Sequence, residues 1–209
     1  MTNYELVEFA KSKIGTSYVY GMKGAILTLE KYKELKAKYG NNIWNSDIKK
    51  VGKICCDCSG LISWATGIIR SSTNYKEIAD KIYPISTIKN APIGALVWKQ
   101  GHIGIYIGTE NGIPYYIAED GSAYNCRKNK ISNASFTHWF LCKDIEYIKT
   151  EEKDEYMVTQ AKIKVNGKEY VVNRILYNDK NYIELRSLEQ AGFKVDYINS
   201  TPVLDSPKE

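Results

Sequence analysis

Histidine is the scarcest chemistry-bearing residue in this chain, with two copies, His102 and His138, among 209 residues. Any cysteine activated by an imidazole must use one of them. Long apolar runs are also missing. No stretch approaches the ~20 residues needed to cross a bilayer, so no stable membrane insertion is expected. The start, Met1-Thr-Asn-Tyr-Glu-Leu-Val-Glu-Phe-Ala, lacks the basic residues and continuous apolar core of a secretory signal. Synthesis in the cytoplasm, with any exit by a route that needs no signal, is the expectation. The cysteines number five, three of them crowded at Cys55, Cys56 and Cys58. That is not the even spacing of a disulfide framework. Cys55 and Cys58 form a Cys-x-x-Cys, but no second pair and no His-x-His accompanies it, so neither a metal nor another cofactor is expected.

What is present is the composition of a globular protein, 44% hydrophobic and 25% charged, with a net charge of +5 spread along the chain. A mild basic excess favours polyanions in general, and cell wall, anionic lipid and nucleic acid all qualify. No aromatic-basic motif supports nucleic acid, which is not an expected partner. The length allows one catalytic domain of ordinary size plus a small module.

Residues 3–14 read as a helix, with Leu6, Val7, Phe9, Ala10 and Ile14 on one face and Gly15 as the stop. Residues 16–21 read as a short extended turn. A Lys- and Glu-rich helix is expected from Ala25 to about Tyr39, ended by Gly40-Asn41-Asn42. The stretch Asp57-Cys58-Ser59-Gly60-Leu61-Ile62-Ser63-Trp64-Ala65 begins another helix, apolar on most sides and running to about Ile69. Asp57 or Ser59 lies at its cap. Cys58 therefore sits among unpaired backbone N–H groups at the positive end of a helix dipole, an environment that favours a thiolate. The competing reading is that Cys58 is a small buried core residue. A short helix capped by Ser71 to Asn74 should run to about Ile82. Ala95–Trp98, His102–Gly108 and Ile113–Glu119 read as strands of an antiparallel meander joined at Gly101 and Asn111-Gly112.

Asp57-Cys58-Ser59-Gly60-Leu61-Ile62 and Gly101-His102-Ile103-Gly104-Ile105-Tyr106-Ile107-Gly108 together resemble the two signatures of the NlpC family of papain-like cell-wall peptidases. Ile14-Gly15-Thr16-Ser17-Tyr18-Val19-Tyr20-Gly21 is similar to the family's upstream Tyr-x-Trp-Gly segment, and Pro92-Ile93-Gly94-Ala95-Leu96-Val97-Trp98 to its Pro-Gly-Asp-Leu-Val strand. The likeness spans roughly residues 4–148. Gly21 to Lys53, the strand ending in Trp98-Lys99-Gln100-Gly101-His102, and Thr137-His138-Trp139 look most like clostridial and phage-encoded members, many of them endolysins released by lysis.

The resemblance implies a nucleophile at Cys58, a base at His102, and Tyr18, Asp57 and Ser59 holding the free amine of a peptidoglycan stem peptide. It implies hydrolysis of an amide such as the γ-D-glutamyl–diamino acid bond. The family's strand aspartate is Ala95 here. The third polar residue is open among Ala118, Glu119, Asp120 and a backbone carbonyl. Neighbouring strand residues face opposite sides, and Glu119 is the choice, with Asp120 or a carbonyl behind it. His138 reads as structural, Cys126 and Cys142 as idle thiols, and Cys55 and Cys56 as buried. An amidase or acyltransferase on the same scaffold, or a non-catalytic wall-binding protein, are the alternatives.

The fold expected is α+β: a papain-like domain over residues 1–150, with N-terminal helices and a catalytic helix packed on an antiparallel sheet, then a smaller α+β module. Residues 151–158 form a charged linker. Residues 159–209 carry an Asn166-Gly167 hairpin, a strand at Tyr182–Arg186, a short helix from Ser187 to Gly192 and a strand at Phe193–Tyr197. This part resembles the stalk-type domain named for the N-terminal region of copper amine oxidases, without a copper ligand set. It is expected to target the wall or to support a homodimer.

Overall fold

A computed structural model describes residues 1–148, 158–177, 180–198 and 201–206. The chain divides into two units, Met1–Lys149 and Thr150–Glu209. No helix among the described residues is long and apolar enough to cross a membrane.

The first unit opens with helix α1 (Asn3–Ser12), capped by Thr2 and Glu5 in a capping box and burying Leu6, Val7 and Ala10. Strands β1 (Ser17–Tyr18) and β2 (Lys23–Ile26) follow, then α2 (Leu29–Tyr39) and β3 (Ile54–Cys56). β3 lies between β1, to which it is parallel, and β2, to which it is antiparallel. The expected start of α2 at Ala25 is corrected. Ala25 and Ile26 pair with Cys55 and Ile54, and the helix begins only where the Thr28 side chain accepts the Lys31 N–H.

Helix α3 (Cys58–Thr66) comes next, followed by α4 (Ser72–Glu77) and β4 (Ile82–Pro84). α3 ends at Gly67, which adopts the left-handed conformation, so Ile68 and Ile69 leave the helix and are exposed instead of buried. α4 likewise stops at Glu77, short of Ile82.

Strands β5 (Leu96–Lys99), β6 (His102–Glu110), β7 (Ile113–Glu119), β8 (Cys126–Lys130) and β9 (His138–Phe140) complete the unit. They join β4 in a six-stranded antiparallel sheet of order β4-β9-β5-β6-β7-β8. The meander of β5, β6 and β7 agrees with the sequence reading, whereas β4, β8 and β9 were not anticipated.

Alternation along β6 and β7 divides the core. Ile103, Ile105 and Ile117 pack with Leu6, Leu61 and Ile62 of α1 and α3. Tyr106, Tyr116 and Ala118 pack on the other side with Phe136 and Trp139. Full burial of Leu61 and Ile62 contributes on the order of 1.5–3 kcal/mol each, and it fixes α3, with Cys58 at its tip, against the sheet that carries His102. This is the α+β arrangement expected, a cysteine-bearing helix on an antiparallel sheet.

In the second unit β10 (Val158–Val165) and β11 (Lys168–Tyr177) form a hairpin whose turn residues Asn166 and Gly167 both have positive φ, at 50° and 81°. β12 (Lys180–Ile183) extends this sheet, and β13 (Lys194–Ile198) pairs with β14 (Thr201–Asp205). The expected strand to Arg186 ends at Ile183, because Leu185–Ala191 coils as a 3-10 helix closed by left-handed Gly192. Residues 151–157 of the expected linker lie outside the described residues, and Val158 already belongs to β10.

Candidate active site

α3 starts at Cys58 for a local reason. Asp57 has extended backbone and its Oδ1 accepts the Gly60 N–H at 2.6 Å, the N-cap bond. Gly60 admits no side chain, since a Cβ there would lie 2.3 Å from the Met22 carbonyl oxygen. That same carbonyl accepts the Asp57 N–H at 2.9 Å. The helix tip is thus seated directly on the chain between β1 and β2.

Cys58 is 7% exposed. Its sulfur meets the backbone N–H groups of Ile103 and Ser59, which brings the helix tip to the start of β6, next to His102. The thiol is nevertheless pushed up to about 12, by burial first and then by the neighbouring Asp57 carboxylate, against the smaller opposing pull of those N–H groups and of Lys23. The expectation of a resting thiolate is therefore corrected: desolvation of the buried sulfur outweighs the helix terminus here.

His102 is the first residue of β6. Its ring stacks on Phe136, 5.6 Å between centroids and 8° between planes, and Nε2 lies 3.1 Å from Asp120 Oδ1. Asp120 Oδ2 also accepts from Tyr116 Oη at 2.9 Å and from Arg127 Nε at 2.6 Å. Burial alone would raise this acid, but the hydrogen bonds from His102, Arg127 and Tyr116 prevail and hold it below the ordinary aspartate value. An ionised carboxylate only accepts, so Nε2 carries a proton toward Asp120.

Glu119, the residue expected to face His102, does not reach it. It is fully buried on the other side of β7, where Oε1 accepts the Cys56 S–H at 3.0 Å and Oε2 has no hydrogen-bond partner. Burial pushes Glu119 up to about 8, so near neutral pH it is largely a neutral acid. The cause of the correction is register. Pairing between β6 and β7 shifts by one residue between Tyr106 and Gly108, and continuing the inner ladder of Ile105 and Ile117 sets His102 across from Asp120.

Tyr18 is on β1 beside Cys56, and burial, then Cys58 and Asp57, raise its phenol. Its backbone N–H donates to Asn125 Oδ1 at 3.1 Å, tying β1 to the loop after Asp120. Asp57 and Ser59 are each 5% exposed and lie together, the Ser59 hydroxyl donating to Asp57 Oδ1 at 3.0 Å. Both are engaged by the chain's own Lys23, a contact with no signal in the sequence. Tyr116, Phe136 and Arg127 also escaped the sequence reading. Asp120 appeared there only as the fallback.

Cys58 opens onto a cleft of about 420 Å³ whose walls include Tyr20, Tyr39, Lys23, Ile69 and Gly101, the last adjoining His102. A cavity of about 460 Å³ on the second unit, lined by residues such as Ile175 and Ile183, has no nucleophile in its wall. His138 is on β9, with Nδ1 2.9 Å from Thr137 Oγ1 and its ring beside Trp98. Cys55, Cys56, Cys126 and Cys142 are free and buried.

No protein-family model and no curated protein matches the chain. Among solved structures it is similar to the NlpC/p60 domain of the peptidoglycan hydrolase SagA, at 17% identity, covering 68% of this chain and 99% of that one with a TM-score of 0.43. It is also similar to the P60 domain of antigen MAP1204 from M. avium subspecies paratuberculosis, at 20% identity, covering 69% and 96% with a TM-score of 0.44.

Proposed function

We propose that the chain is a cysteine hydrolase of papain-like design that cuts amide bonds in peptidoglycan stem peptides. The observation that carries this reading is the seat of the Cys58 sulfur on the N–H of Ile103, the residue that follows His102 in β6, together with the bond between His102 Nε2 and the ionised Asp120. Substrate class comes from the four ordered segments around Tyr18, Cys58, Ala95 and His102.

In the reaction His102 Nδ1 takes the thiol proton as the sulfur of Cys58 bonds to the substrate carbonyl carbon. The carbonyl oxygen becomes an oxyanion facing the backbone N–H of Cys58, which at the first position of α3 has no acceptor within the helix. The imidazolium then protonates the leaving amine, and water, deprotonated by His102, hydrolyses the thioester and frees the thiol. Asp120 stabilises the imidazolium and keeps the ring from turning. Glu119 takes no part.

The scissile bond proposed is that between γ-D-glutamate and the diamino acid. An endolysin-type use is supported by the likeness of Gly21 to Lys53 to phage-encoded sequences, and a wall-targeting or dimer-forming role for the second unit by its Asn166-Gly167 hairpin pattern. Purified clostridial cell walls are the test. Wild-type protein should clear them and release fragments with a new N-terminal diamino acid, and Cys58→Ala and His102→Ala should not clear them. A free lactyl sugar among the products would make the enzyme an amidase. Clearing at the wild-type rate by either variant would sink the proposal.

A further inference from the structure

The Asp57–Ser59 pair is built to hold an ammonium group, and it already holds one. Lys23 Nζ is 2.9 Å from Asp57 Oδ1, 3.2 Å from Asp57 Oδ2 and 2.7 Å from Ser59 Oγ. A lysine ammonium has three protons to donate, and these contacts account for all of them. Asp57 is saturated in turn, since Oδ2 also accepts the Gly21 N–H at 2.8 Å and Oδ1 the N–H of Gly60 and the hydroxyl of Ser59.

Lys23 is not a surface lysine that happens to lie nearby. Its backbone pairs with Cys56 at the end of the β2–β3 ladder, where the register shifts between Lys23 and Ala25. The intervening Gly24 has φ of +88°, and a Cβ there would fall 2.2–2.7 Å from ring atoms of Trp64 on α3. The bulge is thereby clamped to the cysteine-bearing helix, and the Lys23 side chain, a quarter exposed, is directed into the cleft that Cys58 opens onto.

We infer that Lys23 is a specificity-determining residue, a resident ammonium that fills the Asp57–Ser59 site and selects stem peptides whose first amine is acylated. Such peptides are still amide-linked to the lactyl group of a glycan strand, as in intact wall, and differ from released peptides with a free amine. A second ammonium entering the site would share one carboxylate with Lys23, and two like charges in a partly desolvated pocket repel strongly. An amide N–H at the same place brings no charge. This inference rests on the proposed hydrolase reading and changes only which substrate end the cleft accepts.

The test compares two peptides of the same composition, alanyl-γ-glutamyl-diamino acid with a free N-terminal amine and its N-acetyl form, using full-length wild type, Lys23→Met and Lys23→Arg. Wild type should favour the N-acetyl peptide in kcat/KM by roughly tenfold or more. Lys23→Met should move the ratio toward the free amine by a similar factor, chiefly through KM, and Lys23→Arg, which keeps the charge, should retain the wild-type preference. A wild type that prefers the free amine, or a ratio unmoved in Lys23→Met, overturns the inference. The wild-type ratio decides the matter even if Lys23→Met does not fold. Cleavage of neither peptide by wild type would count against the hydrolase reading instead. Lys23 is then judged by calorimetric titration of the free-amine peptide into Cys58→Ala with and without Lys23→Met. Tighter binding after the lysine is removed supports the resident-ammonium role, and equal binding overturns it.

Discussion

Asp120 and Glu119 are neighbours in sequence, yet the two faces of the sheet treat them in opposite ways. On one face Asp120 receives bonds from His102, Tyr116 and Arg127 and is held ionised. On the other, Glu119 meets a single thiol among apolar groups, and burial pushes it up to about 8. Both are carboxylic acids beneath the same histidine strand. The difference lies in the number of donors each finds, so which of the two carboxyls is ionised is decided by its surroundings and not by residue type.

The largest way to break this contrast is Asp120→Asn. An amide in place of the carboxylate no longer fixes the protonated nitrogen of His102 or stabilises the imidazolium, and kcat should fall by roughly 10²–10⁴-fold in single-substrate assays. A loss of less than about threefold would show that His102 does not depend on this anion.

Arg127→Met probes the same carboxylate more gently. Removing one of the bonds that lower the Asp120 pKa lets it protonate at higher pH. The acidic limb of the kcat/KM profile should therefore move upward, with an extra loss of roughly three- to tenfold at pH 5 and little at pH 8. A profile that drops uniformly at all pH values would assign Arg127 to structure alone.

The smallest effect on activity belongs to Glu119→Gln, which should leave turnover within about threefold because the carboxyl it replaces is already largely neutral near pH 7. Its signature is in stability. The folded-state value is raised from 4.5 to about 8, so the unfolded chain releases this proton first. Stability associated with Glu119 is full below the lower value and is lost as pH rises through the upper one, amounting to a few kcal/mol at most. Thermal melts of variant and wild type should consequently diverge from pH 5 to pH 8 and run parallel above that. Parallel melts across the whole range would mean that Glu119 is ionised in the folded protein.

The parts of the site that depend on local chemistry could be read in the sequence. Asp57, Cys58 and the apolar run after them announce a capped helix, and the β-branched alternation from His102 announces its strand. Parts that depend on distant pairing could not. Ala25 and Ile26 look helical until Cys55 and Ile54, some thirty residues on, claim them as a strand. The polar run Cys126–Lys130 has no amphipathic signal because it is an edge strand that buries only Cys126, the side chains after it alternating between solvent and shallow burial. Residue type alone could not choose between Glu119 and Asp120, because the one-residue shift near Ile107 that sets Asp120 across from His102 leaves no mark in composition. Gly67 was a readable stop that the apolar pair Ile68-Ile69 obscured.

The contact between Gly60 and the Met22 carbonyl bears on engineering. Because main chain meets main chain there, the placement of Cys58 belongs jointly to two segments far apart in sequence. Grafting the cysteine helix into another scaffold would carry over its chemistry but not its alignment unless the strand-linking segment around Met22 travelled with it. Libraries that seek new specificity have freedom at Ile69 on the cleft wall, whereas Tyr20 and Tyr39 pack on each other and on the core below, and a methyl group at Gly60 would strike the Met22 carbonyl and displace the helix tip.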